Sequence, residues 1–328
     1  MTDLLISSFN AEWMNDWFVS DGNIPSFKEK FKDRETGNFI RTTDVASKVA
    51  GLIKSLKSDI LSIQEGPSTK GEMLLFINDY LNNSYKCEIS KDGSSQKLFI
   101  LYKDGLFDQV KKVNTSYDPW EFDKDGDYKL DTVNFTRTPL EMDFTINQKT
   151  LKIVTVHLKS LFVNKGQELW TNIETRNFYI AASLQNRKRI LTEAIKLREY
   201  VDSTLSQSPN MIILGDMNDG PGREYFEKYL LGMDITSELL GSIYFPKNIF
   251  STTLDPDNDY SVIFDDFVSN MPERKILLDR ILISPSLIDI VNESLVNHDT
   301  FDSVTTDLNK RDGRPSDHRP VSLSIDFS

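Results

Sequence analysis

Cysteine is almost absent from this chain: Cys87 stands alone among 328 residues. A disulfide framework within the chain is therefore excluded, a reducing compartment is the simpler setting, and structural zinc on thiolates is argued against. Long hydrophobic runs are missing too, since no stretch approaches the roughly 18 apolar residues of a membrane-spanning helix. Met1-Thr2-Asp3-Leu4 lacks the basic lead-in and the apolar length of a secretory signal. The expected location is cytoplasmic, although a segment removed ahead of this numbering would leave no trace. Positive charge is in deficit: 38 Lys and Arg face 50 Asp and Glu, a net charge of −12. The basic stripe that neutralises duplex phosphates is not evident, so tight, unspecific duplex binding is not expected. Local basic groups remain at Lys159, at Arg187-Lys188-Arg189 and at Lys310-Arg311 with Arg314. For the triplet, a solvated helix face is the alternative reading. Internal repeats and low-complexity linkers are also missing. Residues 1–328 are expected to form one domain, with 39% hydrophobic residues and 20 Phe to fill its core.

What the chain does have is a set of polar clusters adjoining apolar runs. Met211-Ile212-Ile213-Leu214 leads into Gly215-Asp216-Met217-Asn218-Asp219. Period-2 geometry projects Asp216 and Asn218 to the same side where a buried strand ends, and open α/β folds bind ligands at the carboxyl ends of strands. A carboxylate beside a carboxamide can hold and deprotonate one water: the carboxylate accepts the proton and the amide fixes the oxygen. The same residues are also ordinary turn formers. Five other clusters shift the balance. Ser7-Ser8-Phe9-Asn10-Ala11-Glu12 follows Leu4-Leu5-Ile6, and Gln64-Glu65 closes the run from Ile60. His157-Leu158-Lys159-Ser160 closes the run from Ile153, and Asp279-Arg280 opens the run through Ile283. Ser316-Asp317-His318-Arg319 precedes the last strand, from Val321. Only three histidines occur, and two of them, His157 and His318, lie in these clusters. Either one alone reads as a satisfied core or turn histidine; all six clusters in this order point to one polar site on a β-core.

Strands and helices alternate early and strands dominate late. Thr42 or Thr43 is placed to cap a helix carrying Val45, Val49, Leu52, Ile53 and Leu56 at helical spacing. A second helix is predicted over 72–81, then strands over 85–89 and 98–102. Residues 140–146 and 151–157 read as a hairpin around Asn147-Gln148-Lys149. A long helical pattern, continuous or broken, covers 174–205. Two segments resist the core pattern. Residues 160–175 form either a wall of a substrate cleft or a packed surface loop. Residues 115–138 hold the run from Glu121 to Asp127, which imitates the acidic half of a calcium loop but has Thr132 where a bidentate Glu is needed. An acidic turn between strands is the expectation there.

The order Asn…Glu, Gln-Glu, His, Gly-Asp-x-Asn, Asp-Arg, Ser-Asp-His, running from Asn10 to His318, resembles the endonuclease/exonuclease/phosphatase superfamily, the deoxyribonuclease-I-like proteins. The resemblance implies an α/β fold, a two-sheet sandwich with helices on its outer faces, and metal-dependent cleavage of a phosphoester. It specifies chemistry better than substrate. On this basis Glu65 is the leading metal ligand, a hard anionic oxygen at a strand end. Asn10, Glu12 and Asp317 would complete an oxygen-rich shell around Mg²⁺ or Mn²⁺. Zinc on His157, His318 and carboxylates is conceivable, but the resemblance points to Mg²⁺. Asp216, aided by Asn218, would orient and deprotonate the attacking water. His157 and His318 flank the scissile phosphate in the family pattern and would donate to its nonbridging oxygens as charge builds. Asp279 would hydrogen-bond His318, raising its basicity and fixing its tautomer, the alternative being an ion pair with Arg280. Lys159, Ser160 and Arg314 are the expected substrate contacts.

The substrate is less determined. His157-Leu158-Lys159-Ser160 with Arg187…Glu193-Ala194 resembles the bacterial nuclease-like branch, which implies a nucleic acid substrate, DNA or RNA. The alternative is a phosphatase or phosphodiesterase for a small ester such as an inositol phosphate, mildly favoured by the negative charge. Asp279-Arg280-Ile281-Leu282 resembles the end of an inositol-polyphosphate phosphatase motif, but Leu277-Leu278 replaces the Trp-Cys pair expected before it. Sphingomyelinase action would need an exposed hydrophobic hairpin, and none is evident, so no membrane partner is expected. A catalytically dead scaffold is disfavoured because every expected catalytic position is filled.

Overall fold

The computed structural model describes residues 3–19, 24–91, 95–113, 117–123, 127–219, 235–242 and 245–327. Strand β1 (Asp3–Asn10) is followed by a small hairpin, β2 (Lys30–Lys32) and β3 (Phe39–Arg41), and by helix α1 (Thr42–Leu56). Neither threonine caps α1: the helix begins at Thr42 itself, Arg41 holds the cap position, and no side chain bonds there. Its Val45, Val49, Leu52, Ile53 and Leu56 are buried, as their spacing predicts. Strand β4 (Ile60–Gly66) returns parallel to β1. Helix α2 (Lys70–Leu81) starts with a capping box, Thr69 and Glu72 each satisfying the other's backbone N–H. It delivers the antiparallel pair β5 (Lys86–Ile89) and β6 (Lys97–Tyr102).

Next come β7 (Gln109–Val113), β8 (Trp120–Phe122) and β9 (Asp131–Val133). The acidic run joins β8 to β9; Asp123 and Asp127 accept from the backbone N–H groups of Tyr128 and Lys129, while residues 124–126, Asp125 among them, lie outside the described residues. The predicted hairpin is β10 (Leu140–Ile146) with β11 (Lys149–His157). Asn147 and Gln148, at φ +49° and +67°, make the two-residue turn that suits strand twist. Helices α3 (Gly166–Thr171) and α4 (Arg176–Thr204) follow. The long helical pattern is therefore one helix, and the break falls ahead of it. The chain continues through β12 (Met211–Asp216), α5 (Ile235–Leu240), β13 (Ser251–Thr252), β14 (Val262–Asp266) and β15 (Met271–Ile276). It ends with β16 (Asp279–Ile283), β17 (Val291–Val296), α6 (His298–Val304) and β18 (Val321–Asp326).

Among the described residues two six-stranded sheets result, in the orders β17-β18-β1-β4-β6-β5 and β13-β16-β12-β11-β10-β7. Three apolar clusters bind the layers. One packs α1 and α2 onto the first sheet through Phe9, Leu61, Ile63 and Phe99. One fills the space between the sheets with Leu4, Ile6, Ile153, Leu214 and Leu323. The third packs α4, through Ile190, Ala194, Leu197 and Val201, against Val154, Val156 and Ile213. The architecture is the expected α/β sandwich, helices outside and two sheets within. Among the described residues, no helix is long and apolar enough to cross a membrane.

Candidate active site

Strand parity builds the site. Leu4 and Ile6 of β1 face the core between the sheets, so Ser8 and Asn10, two and four residues on, face the same way. Leu151 and Ile153 carry that face of β11 to Thr155 and His157; Ile212 and Leu214 carry that of β12 to Asp216. On β16 the run Ile283, Ile281 leads back to Asp279, which is paired opposite Asp216, itself paired with His157. Four apolar ladders thus end in polar residues at one end of the sandwich. Gly215 allows the close approach: a Cβ there, at φ +143°, would stand 1.9 Å from the Val156 carbonyl oxygen.

Two residues arrive by other means. Parity would send Glu65 to the helix side of β4, but the register shifts between Ile63 and Gly66, and Glu65 sits at φ +55°. This bulge re-aims the carboxylate. Asn218 is likewise off the strand period, at φ +51°. It meets Asp216 through its backbone N–H, 2.8 Å from Oδ1, while its carboxamide donates to the Leu158 carbonyl.

Asp216 is the centre. Its Oδ2 accepts from Asn10 Nδ2 at 3.0 Å and lies 3.5 Å from His157 Nε2 and 3.9 Å from His318 Nε2. Burial pushes its carboxyl up to about 7, Asp279 adding to the rise and His318 opposing it. The two imidazoles diverge. Burial, then the charges of Arg137 and His318, push His157 well below its ordinary value, so it is neutral. Burial also opposes charge on His318, but Asp279, Asp317 and Asp216 outweigh it and hold the ring as an imidazolium. His318 Nδ1 is 2.6 Å from Asp279 Oδ2, and Ser261 Oγ accepts from the Asp279 N–H. Arg280, on the opposite face of β16, reaches the Asp219 carbonyl, so the alternative pairing of Asp279 with Arg280 is not what forms.

The acidic side is shared between two groupings. Glu65 Oε2 accepts from the Trp13 N–H and from Gln96, leaving Oε1, 3.4 Å from Asn10 Nδ2, less engaged. Among the described residues, carboxylate oxygens of Glu12, Glu35 and Asp317 come within 4.8 Å of one another. Asp317 belongs to both groupings, since its charge raises the carboxyls of Glu65 and of Glu12, each already raised by burial. Glu12 reaches about 7 despite Arg311 and Arg314. Asn10 spends its amide hydrogens on Asp216 and Glu65 and its oxygen on the Glu12 N–H, which places it between the acid cluster and Asp216. Buried, mutually repelling carboxylates with hard oxygen donors fit a divalent cation of the Mg²⁺ or Mn²⁺ kind.

The expected substrate contacts lie at the rim. Arg314 is ion-paired to Glu12 at 2.8 Å and faces Glu35, so it neutralises the acid cluster. Lys159 donates to the Ser160 carbonyl, and Ser160 Oγ accepts from the Phe162 N–H. Residues 161–163 and 165–168 wall a cavity of about 580 Å³ opposite the β14–β15 turn, with Arg187 also lining it. Arg137 and Glu35 escaped the sequence reading, and Glu193 entered it only as part of a motif. Arg137 donates to the Leu158 carbonyl and to Gln96, and its charge acts on both His157 and Glu65. Buried Glu193 accepts from the backbone N–H groups of Thr136 and Lys159, tying the loop after β11 to α4.

No protein-family model and no curated protein matches the sequence. Solved structures do. A truncated TDP2 from Caenorhabditis elegans matches at 15% identity and a TM-score of 0.54, over 98% of this chain and 97% of that one. An endonuclease/exonuclease/phosphatase family protein from Bacteroides thetaiotaomicron matches at 14% and 0.53, over 100% and 98%. A 3'-5' exonuclease from Neisseria meningitidis matches at 15% and 0.51, over 99% and 100%. At these identities the similarity is one of fold.

Proposed function

We propose that this chain, which has the deoxyribonuclease-I-like fold of the endonuclease/exonuclease/phosphatase superfamily, is a divalent-metal-dependent phosphodiester hydrolase that cleaves DNA or RNA as a single-domain cytoplasmic enzyme. The observation that carries the proposal is a buried carboxylate, Asp216, held by Asn10 and Asn218 between two histidines, His157 and His318. Asp216 orients a water and takes its proton. His318, charged through Asp279, and the Nε2–H of neutral His157 donate to the phosphoryl oxygens as negative charge develops. Glu65, Asp317 and Glu12 would hold Mg²⁺ or Mn²⁺, which supplies Lewis-acid stabilisation of the leaving oxygen. Nucleic acid is the proposed substrate because a structural neighbour of full-length overlap is an exonuclease. The net charge of −12 favours the second reading, a small ester such as an inositol phosphate.

A panel of plasmid, single-stranded DNA, RNA, an inositol polyphosphate and bis-p-nitrophenyl phosphate, with Mg²⁺ or Mn²⁺ and an EDTA blank, tests the reading. Metal-dependent cleavage of a nucleic acid is the expected result. Turnover confined to the inositol ester selects the alternative, and turnover of none overturns both.

The carboxyl values give a second expected result. Glu12 and Asp216 bind protons more tightly folded than unfolded, so the folded chain loses stability as pH rises from the ordinary carboxylate range through about 7. A divalent cation competes with those protons. Mg²⁺ or Mn²⁺ is therefore expected to raise Tm more at about pH 8 than at about pH 6, the stabilisation at about pH 8 approaching about 2.7 kcal/mol at roughly a hundred times its Kd. A thermal shift of equal size at both pH values would place the cation away from these carboxylates.

A further inference from the structure

We infer that a second cavity, between the β8–β9 hairpin and α4, is an anion site that holds a phosphate of the substrate strand beyond the one that is cut. The inference rests on the nuclease reading above. The cavity measures about 290 Å³ and is lined by Phe122 and Thr132 of the hairpin, by Lys159, and by Gln185, Lys188 and Arg189 of α4, among others. Three of its lining residues are cations and, among the described residues, none is a carboxylate. That composition runs against a chain with 50 acidic residues to 38 basic ones. Glu193 stands behind the wall, 3.9 Å from Arg189 Nε, but its oxygens are turned to Thr136 and the Lys159 N–H. It offsets one charge of the three.

Position connects this cavity to the scissile site. Lys159 lies two residues beyond His157, within about 7 Å along the chain. Arg137 donates to the carbonyl of Leu158 between them, its charge lowering the proton affinity of both His157 and Lys159, and the charge of Arg189 also acts on Lys159. Lys159, Lys188 and Arg189 share the cavity, and Arg137 and Arg189 both lie near enough to Lys159 for their charge to act on it. Ammonium and guanidinium donors suit phosphate oxygens, and Phe122 adds an aromatic face on which a base can stack. A phosphate on an unpaired strand offers both groups together. The basic triplet of α4 is thus divided: Arg187 turns to the larger cavity, while Lys188 and Arg189 line this one.

Lys188 is exposed, so Lys188→Gln keeps the fold. The control is Lys196→Gln, which removes the same charge from α4 but pairs with Glu199 outside the cavity. With a single-stranded oligonucleotide and Mg²⁺, Lys188→Gln is expected to raise KM about tenfold while kcat holds, and Lys188→Arg to restore most of the loss. In EDTA, binding of a labelled oligonucleotide should lose about 0.7 from its log–log salt slope. An equal effect of Lys196→Gln would reduce the cavity to bulk charge and overturn the site. So would a loss of the same size on bis-p-nitrophenyl phosphate, which is too small to reach the cavity. If the wild type cuts no oligonucleotide, the nuclease reading fails, and the binding experiment still decides: equal affinities of wild type and Lys188→Gln overturn the cavity site.

Discussion

Asp216→Asn is expected to lower kcat by about two to four orders of magnitude, the range for losing a positioned general base. The substitution keeps shape and removes proton affinity. An amide at 216 can still accept the Asn218 N–H through one atom, as Oδ1 does at 2.8 Å. Its other atom would be an NH₂ facing Asn10 Nδ2, now a donor at 3.0 Å, with His157 Nε2 at 3.5 Å. That conflict costs about 1–3 kcal/mol of stability, against which the variant escapes the ionisation of a buried carboxyl. The two effects oppose each other, so the fold should survive and the loss should be catalytic. As the proposed base, Asp216 acts only when ionised, so kcat/KM should fall as pH drops through about 7, or lower once a cation draws the proton off. That acid limb should vanish in Asp216→Asn. The paired measurement is a pH–rate profile for both proteins. A fall in kcat smaller than about tenfold, with the acid limb intact, would give water activation to another group.

Much of this site was legible because period 2 extends past the apolar part of a strand. Leu4, Ile6 and Asn10 share a parity, as do Ile153 and His157, Leu214 and Asp216, and Ile281 and Asp279; the buried ends of those ladders are the site. Glu65 and Asn218 meet Asn10 and Asp216 at the same end of the sandwich, but a bulge and a left-handed φ bring them there, and neither leaves a mark in a hydrophobic pattern. Arg137 had a signal that went unused. Thr136-Arg137-Thr138 adjoins the run beginning at Leu140, one more polar cluster beside a strand. Glu35 had none, since it comes from an exposed turn that reaches Asp317 only through tertiary packing. The capping of α1 was misread because Thr42 is buried and already helical, whereas Thr69 before α2 has the Glu three residues on that completes a box. The ion pair of Arg314 with Glu12 spans 302 residues of sequence, beyond any local pattern.

His318→Ala should lower kcat by an amount equivalent to about 2.7–4 kcal/mol if the imidazolium acts as a donor to the developing oxyanion. It should also destabilise the protein, for a reason separate from catalysis. Asp279 is fully buried, its Oδ2 is 2.6 Å from His318 Nδ1, and its Oδ1 has no hydrogen-bond partner among the described residues. Removing the ring strands a carboxylate in the interior, a change that costs about 3–5 kcal/mol where a buried pair is broken. Asp279→Asn alone keeps the histidine but weakens its hold on the proton. Asp279 is the largest favourable influence on that charge, so the alkaline limb of the pH–rate profile, where His318 deprotonates, should move to lower pH while kcat near neutrality falls less than in His318→Ala. The double variant Asp279→Asn with His318→Ala separates the two effects. Denaturant unfolding should show it more stable than His318→Ala, because the orphaned charge is gone. Its kcat should match His318→Ala, because the carboxylate acts on the reaction only through the ring. Additive losses in kcat would mean that Asp279 touches the reaction independently, and the dyad would have to be given up; stability that fails to recover would mean that the carboxyl is already protonated when His318 is absent.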